Sequence, residues 1–431
     1  MWLLACASPD LTFDGVASVR WDGGDGLVAT WPAATGDDVA YELSVETLDG
    51  EPVDAFTLPD LTGIVQGLDD GEYRVRVEAT DASGATAGGD VSLVQLVGEN
   101  RLVYRGELGL EGAMDVWGEG DLVALAGGTH ATTDVLLADI SDPTAPATVA
   151  TLEGWGQVRD VDVADGILYA SSDCNCATTD AAYEAWDKVG ARVVDVSDPA
   201  SPALLAEIGP PTDSVHNLFY ADGLLYLTSN FESAVVIYDV SDPAAPVRLS
   251  EWTPPDGSPH DQTVVGDTMW VAYTRGFARV DVSDPAAPVT LETWDPAGFH
   301  NIWPAGDDRH VLTTREVIGG PLEVWDLESG EEVAEVGMEA SSCVHNVYVR
   351  DTTAYVAWYT DGVWVFDISD PTSPVARGWY DTWDGDGPPE GSDKPAIVGA
   401  WGVWPFGEHV VVGDTARGLL VLDWFPDVVT R

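Results

Sequence analysis

Apolar residues in this chain come in short unbroken runs, each closed by an aspartate and a proline turn. The clearest case is Ala234–Trp252, AVVIYDVSDPAAPVRLSEW. The unbroken VVIY predicts a strand buried on both faces. Ser241, Asp242 and Pro243 then force a turn, because Asp can bond amides ahead of it while Pro fixes φ and holds the preceding residue extended. A second strand leaves after Pro246. The unit recurs as VLLADISDPTAP from Val135, VVDVSDPASP from Val193, VDVSDPAAP from Val280 and VWVFDISDPTSP from Val363. LEVWDLESG from Leu322 and LLVLDW from Leu419 are degenerate copies, which makes seven.

Around each copy the same order of strands is legible. The third repeat shows it whole: VHNLFY, an Ala-Asp-Gly turn, LLYLTSN, a short loop, AVVIYDV, the SDPAAP turn and VRLSEW. Four short antiparallel strands per repeat predict a propeller blade, whereas a helical solenoid needs a 3.6-residue period that is absent. The last repeat stops at Trp424-Phe425-Pro426 without an outer strand, and an orphan strand, LVYRGELGL, begins at Leu102. A closed ring leaves no exposed sheet edge, so the orphan is expected to complete the seventh blade. The predicted fold is all-β, with a seven-bladed propeller over residues 101–431.

Residues 11–98 lack the repeat. Runs such as YELSVETLDGE and YRVRVEATDASG alternate as half-exposed antiparallel strands do. Trp31 in the second strand, and Leu68-Asp69-Asp70-Gly71-Glu72-Tyr73 before the sixth, resemble a fibronectin type III β-sandwich, with Trp31 as its core tryptophan and Tyr73 as its corner tyrosine. Such a domain implies a spacer or an adhesive module. The paired DVSDPxxP motifs, over about three-quarters of the chain, resemble the LVIVD-repeat family of bacterial and archaeal surface proteins. That resemblance implies a propeller in a secreted or surface-anchored protein and leaves its biochemical role open.

Charge narrows the partners. With 74 Asp and Glu against 18 Lys and Arg, the formal charge is −56. Such a field repels nucleic acid and anionic lipid and favours divalent cations or cationic partners. A protein, small-molecule or glycan ligand at the propeller face is the expected partner, and the chain is expected to be a monomer. No apolar run is long enough to span a membrane as a helix. Leu3-Leu4-Ala5-Cys6 resembles a bacterial lipobox, which implies lipidation at Cys6, residues 1–10 as a remnant signal and tether, and display at the cell surface or on the outer membrane.

Candidate chemistry follows from superposing the repeats. At the start of the first strand they read Met114-Asp115, Arg159-Asp160, His216-Asn217, His260-Asp261, His300-Asn301, His345-Asn346 and Trp401-Gly402. Four of the chain's seven histidines fall at one spot in four consecutive repeats. Closure would gather them at one mouth, where neutral imidazoles suit Zn, Cu or Fe, with Asp261, Asn217, Asn301 and Asn346 orienting the rings. The alternative is that duplication copied a His-Asn pair that merely bonds the neighbouring blade.

Other candidates sit in loops. His130, in GGTHATTD, faces the same mouth. Cys174, Cys176 and Cys343 could pin a loop by a disulfide or form a soft metal site. Asp381, Asp384 and Asp386, among glycines, have the oxygens of a calcium loop but lack the twelfth-position glutamate of an EF-hand. No GxSxG, Walker or HExxH motif is present. Two functions are therefore carried forward: a ligand-binding module, and a metal-dependent redox or hydrolytic enzyme.

Overall fold

The computed structural model describes strand segments between residues 18 and 96, and from 101 to 424 all but residues 111, 130–131, 156, 174–188, 210–213, 230–231, 296–297, 338–342 and 384–397. Cys6, His130, Cys174, Cys176, Asp384 and Asp386 lie outside the described residues, as does Trp31. Two compact units are present: Gly106–Leu422, and Met1–Arg105 together with Asp423–Arg431. Every described element is a strand, and no helix among the described residues is long and apolar enough to cross a membrane.

The N-terminal unit carries two antiparallel sheets. One orders Ser18–Trp21, Gly26–Thr30 and Thr62–Gln66. The other orders Pro52–Leu58, Ala40–Thr47, Gly71–Thr80 and Thr86–Gly88, with Ser92–Leu96 also paired to Gly71–Thr80. Tyr41, Leu43 and Val45 are buried at alternate positions, as are Val77 and Ala79, so these two strands turn one face inward. Tyr73 lies in the Gly71–Thr80 strand. Pro52–Leu58 and Thr86–Gly88 are strands that the sequence pattern does not announce.

The larger unit is propeller-like. Its seven four-stranded antiparallel sheets follow one another along the chain, each in simple up-and-down order. The third comprises Val215–Ala221, Leu224–Ser229, Ala234–Asp239 and Val247–Trp252, matching the repeat read from sequence. The seventh orders Ala400–Phe406, His409–Asp414, Gly418–Trp424 and Leu102–Leu108, so the orphan strand does complete the last sheet. The first strands of the seven sheets pack in cyclic order, and Ala400–Phe406 packs against Val116–Glu119 to close the circle.

Local chemistry explains each sheet. The third strand is buried throughout, as in Ala234–Tyr238, because sheets stack on both of its faces. Core clusters therefore lie between neighbouring sheets. Leu218, Leu227 and Val236 of the third sheet meet Tyr169 and Val193 of the second, and Val411, Leu419 and Val421 of the seventh meet Val123 and Leu125 of the first. Asp222-Gly223 and Asp165-Gly166 both have positive φ at the two central hairpin positions, the conformation that Asp-Gly favours. In the proline turns, Asp239 Oδ1 accepts the Ser241 amide at 2.9 Å and the Ala245 amide reaches the Asp242 carbonyl at 2.9 Å. The same pair of bonds recurs around Asp139, Asp195, Asp281 and Asp367. Six of the outer strands pair across a bulge at the same point, which twists the exposed edge away from further pairing.

Candidate functional site

In three of the sheets the first strand begins with a second bulge. Val215 pairs with Ser229 and Asn217 with Thr228, which leaves His216 as the extra residue. His260 and Trp401 are extra in the same way. At His300 and His345 the equivalent pattern is carried by Thr314 and Ala357, each of which bonds both members of the His-Asn pair. A bulge shifts the phase of a strand, so the bulged side chain turns to the axis instead of into the sheet stack. A regular strand would have left these side chains facing the neighbouring sheets.

The result is a ring. His216 and His260 lie 4.8 Å apart by ring centroid, His260 and His300 4.1 Å, His300 and His345 4.4 Å, and His345 and Trp401 4.2 Å. The Arg159 guanidinium stands 5.7 Å over Trp401, and its Nη1 points to Met114 Sδ at 3.9 Å. Asp173 joins the remaining gap, with Oδ2 3.4 Å from Arg159 Nε and 3.1 Å from His216 Nδ1. All four predicted histidines are thus brought together, around a hollow of about 300 Å³ that counts its solvent-open part.

Burial sets the protonation of this ring. It pushes His260 and His345 well below the usual imidazole range, and the neighbouring His300 pushes both further. Burial lowers His300 too, against the opposing pull of the Glu316 carboxylate. These are neutral imidazoles with a lone pair to give. His345 Nδ1 is 2.7 Å from the Trp401 carbonyl, which can only accept, so Nε2 is the free nitrogen there. His260 and His300 each face the backbone of the next histidine in the ring, which pulls them part of the way back up, although Nδ1 of neither makes a close hydrogen bond. For Asp173, burial raises the carboxyl, but the His216 hydrogen bond and the His216 and Arg159 charges outweigh it and hold it below the usual range.

Glu316 completes a donor set that sequence reasoning missed. One ligand atom each from His260, His300 and Glu316 lie within 4.8 Å of one another, and His300 Nε2 is 3.5 Å from Glu316 Oε2. The Tyr359 hydroxyl donates to Glu316 Oε1, while its ring packs 5.2 Å from His345. Tyr359 has φ of 39°, rare for a bulky residue, and its backbone is held there by paired bonds of 3.0 Å to Ala400. Asp173, Glu316 and Tyr359 all lie between the second and third strands of their sheets, in turns that enter this mouth. That shared position was the available signal.

The Asp and Asn members of the pairs do something else. Asp115 Oδ2 accepts the Val161 amide at 3.3 Å, Asp160 Oδ2 the Leu218 amide at 2.7 Å and Asn301 Oδ1 the Val347 amide at 3.1 Å. Asn301 Nδ2 donates to Asp261 Oδ2 at 2.8 Å, and Asn217 Oδ1 accepts from Gln262 at 2.7 Å. These bonds run from sheet to sheet, the second of the two roles the sequence left open, and not to the imidazoles. Stapling between sheets therefore falls to Asp115, Asp160, Asn217, Asp261 and Asn301, while Asn346 Oδ1 is buried without a partner, and the histidines are left to the hollow. Gly402 breaks the pattern because a Cβ there would sit 2.8 Å from Asp115 Oδ1. Burial pushes Asp115 up to about 6 and Asp261 to about 7.

Three positions further along, Trp117, Phe219, Trp303, Tyr348 and Trp404 form an aromatic layer, with Trp117 and Trp404 stacked at 3.2 Å and Trp303 and Tyr348 at 4.2 Å. Trp117 alone touches rings from three other sheets, so the axis is plugged beneath the histidines.

The remaining candidates fall elsewhere. Cys343 is a buried free thiol in the core between Val158, Tyr359 and Trp401, pushed up to about 12 by burial and by Glu316. Asp381 Oδ1 accepts the Trp383 amide at 2.9 Å, an ordinary turn bond.

The LVIVD repeat is found at residues 182–208, 256–295 and 343–382. The second and third matches each bracket one complete four-stranded sheet, and the first covers the outer half of another. No curated protein matches the chain.

Proposed function

Starting from these LVIVD repeats, we propose that the chain is a seven-bladed propeller serving as a binding module, whose axial mouth holds a divalent transition metal on His260, His300 and Glu316. The observation that carries this reading is the donor set itself: two neutral imidazoles and a carboxylate whose ligand atoms lie within 4.8 Å of one another. Two nitrogens and one oxygen suit zinc and its neighbours rather than calcium or magnesium. Tyr359 fixes Glu316 from outside, as partners of metal-bound carboxylates commonly do. The lipobox-like segment at Cys6 and the fibronectin-like segment 11–98 support display outside the cytoplasm on a spacer.

Three protein ligands leave one position open, which also supports a second reading, a hydrolytic enzyme using a metal-bound water. Turnover of an activated ester by the zinc-loaded protein, absent from the stripped protein, would favour it over simple binding.

The test of the metal site is calorimetric titration of chelator-stripped protein with zinc. One tight site is expected above the weak background of the acidic surface, and the His260→Ala, His300→Ala double variant should lose it while keeping that background. Equal tight uptake by both proteins would overturn the assignment. Tyr359→Phe should retain the site but weaken it about tenfold, the usual scale for losing a bond to a metal ligand.

A further inference from the structure

Arg159 is out of place in this hollow. The chain has 18 basic residues and a formal charge of −56, yet one guanidinium stands in the axial ring, beside neutral imidazoles and the carboxyl groups of Asp115, Asp160 and Asp261. It is two places from His260 and three from His300 around the ring of seven, and lines the same opening. Its side chain is 16% exposed. Trp401 supports it by a cation–π contact and Asp173 by an ion pair.

Its hydrogen bonds are poor all the same. Nε is buried with no hydrogen-bond partner, its Asp173 contact being a 3.4 Å ion pair only, and Nη1 meets a thioether, a weak acceptor. Asp173 is shared, since it also takes bonds from Ser214 and His216. A guanidinium held mainly by a ring contact and a shared carboxylate keeps donor capacity for an oxygen acceptor.

We propose that the metal-loaded hollow binds a small monocarboxylate, one oxygen on the metal ion held by His260, His300 and Glu316 and the carboxylate also engaged by Arg159. This rests on the metal reading above. A carboxylate matches the guanidinium fork, and the open coordination position takes its oxygen. A single charge is favoured because the protein's acidic field disfavours anions of higher charge at its surface. The aromatic layer beneath the hollow stops anything longer from threading the axis, so a ligand enters from the open mouth.

The experiment uses the full chain loaded with cobalt, whose visible spectrum reports a change of ligand, titrated with acetate. Saturable acetate binding is expected in the loaded protein and none in the stripped protein. Arg159→Gln should weaken acetate at least tenfold while changing cobalt affinity less than twofold. Arg159→Lys, which keeps the charge without the fork, should fall between and guards against misfolding of the first variant. Equal acetate affinity in all three proteins, or no spectral change at full loading, would overturn the proposal while the metal site stands. Failure to take up cobalt or zinc at all would sink both.

Discussion

Asp162→Asn should stabilise the protein by on the order of 3 to 6 kcal/mol at pH 8 and by little at pH 4. Asp162 is buried three positions beyond Arg159, where its Oδ2 accepts the Tyr220 amide at 2.8 Å. Burial, with Asp115 and Glu119 adding repulsion, pushes its carboxyl up to about 8. Between the ordinary carboxylate value and about pH 8, the folded chain keeps a proton that the unfolded chain has released. Stability from this group is therefore fully present below about pH 4 and is lost as pH rises through about 8. Asn can still accept the Tyr220 amide through Oδ1 and has no charge to bury. Urea midpoints of both proteins at pH 4, 6 and 8 check it. The gap should widen with pH by up to about 1.4 kcal/mol per unit, and a constant gap would refute the assignment.

Asn301→Ala should cost about 3 kcal/mol of stability in metal-free protein. Asn301 is 6% exposed and ties three sheets, donating to Asp261 and accepting from Val347. Truncation leaves a buried amide and a buried carboxyl oxygen without these partners, each carrying its desolvation cost. Asn217→Ala is the control. Asn217 is less buried and its bond goes to the Gln262 side chain, so about 1 kcal/mol is expected. Chemical denaturation with chelator present separates the two, and an equal loss would show that the sheet-to-sheet bonds are not what the second residue of the pair contributes.

The histidine ring shows where sequence reading stops. Position by position, the repeats put His216, His260, His300 and His345 in register, and the structure places their rings within 4.8 Å of one another in succession. Register did not reveal which way they point. Strand alternation alone would have sent them toward neighbouring sheets, and the bulge opposite Ser229 and Thr228 reverses this for His216. The Asn residues beside them were open to two roles, orienting the rings or bonding the neighbouring sheet, and the bonds of Asn217 and Asn301 run to the next sheet. Glu316 had no motif around it, and its role arises because the turn that carries it reaches a histidine of its own sheet while Tyr359 arrives from the following one.

Residue order alone was enough for the repeat strands, their turns, their recurrence and the orphan strand that completes the last sheet, because Asp-Pro and Asp-Gly act on the backbone within a few residues and burial leaves its mark on each run. The aim of the bulged side chains, and the company of Asp173, Glu316 and Tyr359, needed the folded chain. Those depend on contacts between segments far apart in sequence, whose directions no local preference specifies.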